Sequence, residues 1–174
     1  MMKTAGGGKA KGGEFERYCC KQLSLWLSYN KRGDLFWRSA MSGGRATVQF
    51  KRGGSNRTQL GDVTAISPQG SQLTDVFFIE CKCVKNLNFR GMMWNKSIQH
   101  GLPTYWDKCC TEAGKALRYP MLIGRQNRFP EVVVLNLEGM TLLNLTQNRV
   151  AYFPYFGAHV VYFADFLKHA ERPK

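Results

Sequence analysis

Twenty-five Lys and Arg residues against 12 Asp and Glu give this chain of 174 residues a formal net charge of +13. Hydrophobic content of 44%, with 13% aromatic, excludes a disordered chain and suffices for one domain with its own core. So basic a surface favours a polyanion, of which nucleic acid is the commonest soluble one.

Residues 1–13 are rich in Gly and Lys, with no apolar core, and read as a flexible basic tail, not a secretory signal. The rest, 14–174, reads as a single domain. No segment approaches the roughly 20 apolar residues of a membrane-spanning helix, so a cytoplasmic setting without membrane is expected. Six cysteines fall as Cys19-Cys20, Cys81, Cys83 and Cys109-Cys110. Without a C-x-x-C pair, buried thiols are favoured over a zinc site or disulfides.

In chain order, residues 14–27 carry Phe15, Cys19, Leu23, Trp26 and Leu27 on one helical face. Glu16 falls within that face and requires a cationic partner, Arg38 or Lys82, whereas Glu14 sits at the solvated helix start. Asp34 to Ser39 reads as a short strand. Residues 42–61 form a Gly-, Ser- and Arg-rich segment with Arg45, Lys51, Arg52 and Arg57, which suits contact with phosphates. Val63 to Ile66 is expected to pair back onto residues 76–80 as a hairpin, turning at Pro68-Gln69-Gly70-Ser71. A second helix is expected after Pro103, capped by Thr104, with Trp106, Cys110, Ala113 and Leu117 on its apolar face. Strands are expected at 121–124, 131–137, 141–145 and 159–163, and a terminal helix at 165–171. His100, His159 and His169 form no recognisable cluster.

The chemistry gathers in the middle. Val76 to Val84 has the composition of a buried strand, yet carries Glu80 and Lys82 on one face and Cys81 and Cys83 on the other. Charges there are costly unless each has a partner. If the hairpin forms, Asp62 lands opposite Glu80, and two carboxylates converge beside a lysine. Such a group suits a hard divalent cation.

A helix acid, then an aspartate, then Glu-x-Lys on a strand resembles the PD-(D/E)xK nuclease superfamily. The likeness is nearest to archaeal-type Holliday junction resolvases and related phage endonucleases. It rests on Phe15-Glu16-Arg17, Trp37-Arg38-Ser39 with Ser42-Gly43-Gly44, Gly61-Asp62-Val63 and Ile79-Glu80-Cys81-Lys82. Gly61 stands where that family usually has proline. The basic segment before Asp62 is longer than the family's.

The resemblance implies an α/β fold with a restriction-endonuclease-like core, a mixed central sheet flanked by helices. It implies a metal-dependent DNA endonuclease with catalytic Glu16, Asp62, Glu80 and Lys82. Asp62, Glu80 and the Cys81 backbone carbonyl would hold Mg²⁺, or Mn²⁺ in its place, with Glu16 serving a second metal or a water-mediated contact. Lys82 would orient the attacking water and stabilise charge on the phosphate. Arg17 and Arg38 would face phosphate, with Arg45, Lys51, Arg52 and Arg57 adding DNA contacts. Branched DNA as substrate, a homodimer and a phage origin with action in the host cytoplasm complete the expectation. The alternatives are a same-fold nuclease cutting linear duplex or single strands, and a non-catalytic DNA-binding protein.

Overall fold

The computed structural model describes residues 7–39, 61–88, 100–145, 150–153 and 156–173. Helix α1 (Gly7–Leu27) buries Phe15, Cys19, Leu23, Trp26 and Leu27, the face its periodicity predicts. It starts at Gly7, so residues 7–13, expected in the tail, are helical. Ser24 ties this helix to the next element. Its hydroxyl donates to the Cys20 carbonyl at 2.7 Å and accepts the Leu35 and Phe36 amides at 3.0 and 3.2 Å.

Strand β1 (Phe36–Arg38) pairs antiparallel with β2 (Val63–Ala65), in register Phe36↔Ala65, Trp37↔Thr64 and Arg38↔Val63. The hairpin expected over 62–84 does not form. Between β2 and β3 (Phe77–Val84) the chain makes a helix, α2 (Pro68–Thr74). The residues read as a turn are its start: the Ser67 side chain accepts the Gly70 amide at 3.2 Å, and Pro68 takes the first helical position.

Helix α3 (Leu102–Ala116) carries the chain from β3 to a parallel neighbour, β4 (Tyr119–Gln126), in register from Phe77↔Tyr119 to Val84↔Gln126. Gly101, not Thr104, is its N-cap. Leu117, expected on the apolar face, ends the helix in the left-handed conformation and is 82% exposed. Trp106 is buried, and its indole N–H donates to the Phe156 carbonyl at 2.9 Å.

Strand β5 (Val132–Leu135) runs antiparallel to β4 and to β7 (Ala158–Tyr162), with β6 (Ala151–Phe153) beyond. Between β5 and β6 lies α4 (Leu137–Leu142), and α5 (Phe163–His169) follows β7. A strand expected at 141–145 is absent because Asn136 caps α4, its side chain accepting the Gly139 amide at 2.9 Å.

The five-stranded sheet has the order β3-β4-β5-β7-β6. It is mixed, as expected, and β3 stands at its edge. One face packs Phe77, Ile79 and Cys81 against α1, α4 and α5; the other packs Phe78 and Leu122 against α3. On the edge of β3 not paired with β4, the Asp62 amide donates to the Ile79 carbonyl at 2.8 Å. That bond brings the β1–β2 ribbon to the edge of β3. Among the described residues no helix is long and apolar enough to cross a membrane.

Candidate active site

Gly61 makes the approach to β3 possible. Its φ is +88°, and a Cβ there would lie 2.6 Å from the Ile79 carbonyl oxygen. A proline, locked near φ −65°, could not take this conformation, so glycine replaces it for a backbone reason. Asp62 then points at β3. Its Oδ2 accepts the Cys81 amide at 2.8 Å. Because N–H and C=O of one strand residue project to the same side, the Cys81 carbonyl also faces this edge, away from β4.

The strand brings the other two groups. Lys82 Nζ donates to Glu80 Oε1 and lies 3.9 Å from Asp62 Oδ2. The lysine is therefore the cation between two carboxylates, and Asp62 itself is buried. Burial first, then the Glu80 carboxylate, pushes the Asp62 carboxyl up to about 7, against the pull of Lys82 and the Cys81 amide. Burial would lower the Lys82 ammonium, but Glu80 and Asp62 outweigh it and leave it raised. Lys82 thus stays charged at neutral pH, while Asp62 holds its proton over a range in which an ordinary carboxyl has lost it.

Glu16 comes in from α1. Its Oε2 accepts Arg38 Nε at 3.0 Å, with the two side chains 13% and 36% exposed. The cationic partner anticipated for this inward acid is Arg38 on β1. Glu16 lies near enough for its charge to help raise Asp62. Arg17, the next residue of α1, is exposed. The structure therefore assembles Glu16, Asp62, Glu80, Lys82, the Cys81 backbone and Arg38 around one strand edge. Arg45, Lys51, Arg52 and Arg57 lie outside the described residues.

The donors suit a hard divalent cation: two carboxylates and a carbonyl oxygen, with no thiol or imidazole among them. Among the described residues no group of three or more His, Cys, Asp or Glu side chains is gathered at metal-holding spacing. The six cysteines are free thiols. Cys81, hydrogen-bonded to Cys19 and buried, is pushed well above its ordinary value, which makes it packing and not a nucleophile.

An open cavity of about 600 Å³ is lined by Lys11, Phe15, Cys83, Arg125, Arg128 and Phe129, among others. Its walls come from α1 (Phe15), from the end of β3 (Cys83) and from the β4–β5 connection. Arg125 lies opposite Cys83 in the β3–β4 register, its guanidinium 5.8 Å from the Phe15 ring centre and 3.4 Å from Glu131. The expected strand ends before Arg125; its continuation to Gln126 is what places this arginine in the cavity wall.

A family model described as "Phage putative PDDEXK endonuclease" matches residues 7–167. The chain belongs to this family. No curated protein and no solved structure matches it. Membership accounts for the α/β architecture: a mixed sheet with α1 and α3 on opposite faces is a restriction-endonuclease-like core. It also makes the chain a member of a family described as phage endonucleases.

Proposed function

We propose that this PDDEXK family member is a divalent-metal-dependent endonuclease that hydrolyses phosphodiester bonds at the free edge of β3. The observation that carries the reading is the meeting of Asp62, Glu80 and Lys82 there, from two elements joined by the Asp62 amide and the Ile79 carbonyl. Asp62, Glu80 and the Cys81 carbonyl would hold Mg²⁺, with Mn²⁺ able to substitute. A bound cation supplies Lewis-acid charge to the phosphoryl oxygens and to the attacking water.

The protein's own groups do the rest. Lys82, kept protonated by its two acidic neighbours, holds a fixed positive charge where the non-bridging oxygens gain negative charge. Glu80 positions that ammonium through their direct bond. Arg38 balances Glu16, so the helix acid can stand near Asp62 without leaving another uncompensated charge. Arg17, with the basic residues Arg45, Lys51, Arg52 and Arg57, would bind flanking phosphates, giving affinity without sequence readout.

For the substrate we infer branched DNA, cut by a homodimer, since symmetric nicking of a four-way junction requires two active sites. Cleavage of a synthetic four-way junction and a linear duplex, each with Mg²⁺ or EDTA, tests both levels. The expected outcome is EDTA-sensitive cutting, faster on the junction, and abolished in Asp62→Asn with DNA binding retained. Equal cutting of both DNAs would overturn the branched preference alone. Normal cutting by Asp62→Asn would overturn the catalytic assignment.

A further inference from the structure

The β1–β2 ribbon has two unlike faces. Phe36 and Val63 are buried against the core, and Arg38 reaches to Glu16 on α1. Trp37 and Ile66 point the other way, 59% and 58% exposed. Tryptophan is an expensive side chain to leave in water, since it can bury about 150–250 Å². Here it stands on a ribbon that the core holds rigid. Trp26 and Trp106, by contrast, are buried.

The ladder locates this indole. Trp37 pairs with Thr64, and the pairing extends past the strand ends: the Ile66 amide donates to the Leu35 carbonyl and the Ser39 amide to the Asp62 carbonyl, both at 3.0 Å. Asp62 is therefore the diagonal neighbour of Trp37, about 7–8 Å away in backbone terms. That distance is about two rises of a stacked nucleic-acid strand, at roughly 3.4 Å each. A strand with its phosphate at Asp62 and Glu80 thus carries a base within two nucleotides to the Trp37 ring.

We propose that Trp37 is a base-stacking platform that selects DNA with an unstacked base beside the bond to be cut. A base inside a duplex has both faces covered by its neighbours. Only a base at a branch point, flap or single-stranded stretch offers a free face to an indole. Stacking accepts every base, because each has a π-face, so the selection is for shape and not for sequence. The chain's net charge of +13 favours a polyanion as occupant of this face. The inference rests on the reading of β3's edge as a nuclease centre and names a structural feature its substrate would have.

The test is binding, measured in EDTA so that no cleavage is required. Labelled four-way junction, single strand and fully paired duplex are titrated at matched salt with wild type, Trp37→Ala and Trp37→Phe. Removing one base–aromatic stack predicts roughly fivefold to a hundredfold weaker binding of junction and single strand by Trp37→Ala. Duplex binding should change by less than about twofold, and Trp37→Phe should keep most of the affinity, because a phenyl ring still stacks. Equal loss on all three DNAs, or loss on none, overturns the proposal. So does a matching fall in melting temperature, which would mean that the chain's own residues cover the indole. Conversion of a wild-type dimer to monomer by Trp37→Ala would likewise overturn it, by assigning the face to a second copy. If Asp62→Asn still cuts, the nuclease centre is misplaced while the binding result stands. If Trp37→Ala binds normally, the stacking proposal fails and the nuclease reading is untouched.

Discussion

Strands β3 and β5 belong to one sheet, yet they treat charge in opposite ways. In β5 every residue from Val132 to Leu135 is buried and apolar, with strands paired on both edges. In β3 the first three residues are equally buried, but Glu80 and Lys82 follow, partly accessible and bonded to each other. The difference is the edge. β5 is enclosed by β4 and β7, whereas the side of β3 away from β4 admits Asp62 and so can gather ionic groups. The sheet is therefore a scaffold at its middle and a gathering place for ionic groups at its rim.

The largest effect should come from moving the charge to the wrong strand. Val133→Asp buries an unpaired carboxylate between two strands and should cost more than about 3 kcal/mol, enough to prevent cooperative folding by circular dichroism. Glu80→Gln, in contrast, should leave the fold intact while removing cleavage.

Gly61→Ala comes next. The Cβ meets the Ile79 carbonyl oxygen at 2.6 Å and φ is unfavourable, so a loss on the order of 1–3 kcal/mol in chemical denaturation is expected, with cleavage falling further than stability. A stable, fully active Gly61→Ala protein would show that Asp62 does not depend on this approach.

Asp62→Asn should stabilise the metal-free protein, in a pH-dependent way. The Asp62 carboxyl is raised from 3.8 to about 7, so the folded state keeps a proton that the unfolded state has lost between those values. Wild-type stability from this group is fully present below pH 3.8 and is lost as pH rises through 7. The gap in melting temperature between Asp62→Asn and wild type should therefore widen from pH 4 to pH 8. A gap that narrows instead would place Asp62 in a better-compensated setting. The smallest effect is expected from Arg38→Ala, about 1 kcal/mol or less, because its ion pair with Glu16 is partly solvated.

The site was more legible in the sequence than the path of the chain to it. Glu16 could be placed inward because α1 keeps a regular apolar face, and an acid within such a face demands a partner. Glu80 and Lys82 stood out for the same reason, as charges in a strand of buried composition. The expected hairpin gives way to a helix because Ser67-Pro68 serves equally as a turn or as a helix cap and first residue. Local chemistry does not choose between them; packing does, with Leu73 and Thr74 of α2 buried. At α4 a cap again decides: Asn136, expected within a strand at 131–137, instead ends β5 and starts the helix. The edge position of β3 depends on a parallel partner about 40 residues later in the chain, beyond any local signal. Gly61 was legible only as a departure from proline; its φ gives the reason.

The measurement closest to the central claim is the rate of DNA cleavage against Mg²⁺ concentration for wild type and Glu80→Gln, at equal protein folding. The account predicts saturable, EDTA-sensitive cleavage in wild type and a loss of at least about a thousandfold in Glu80→Gln, of the scale expected when a charge-stabilising group at the reaction centre is removed. Cleavage by Glu80→Gln at the wild-type rate would contradict it.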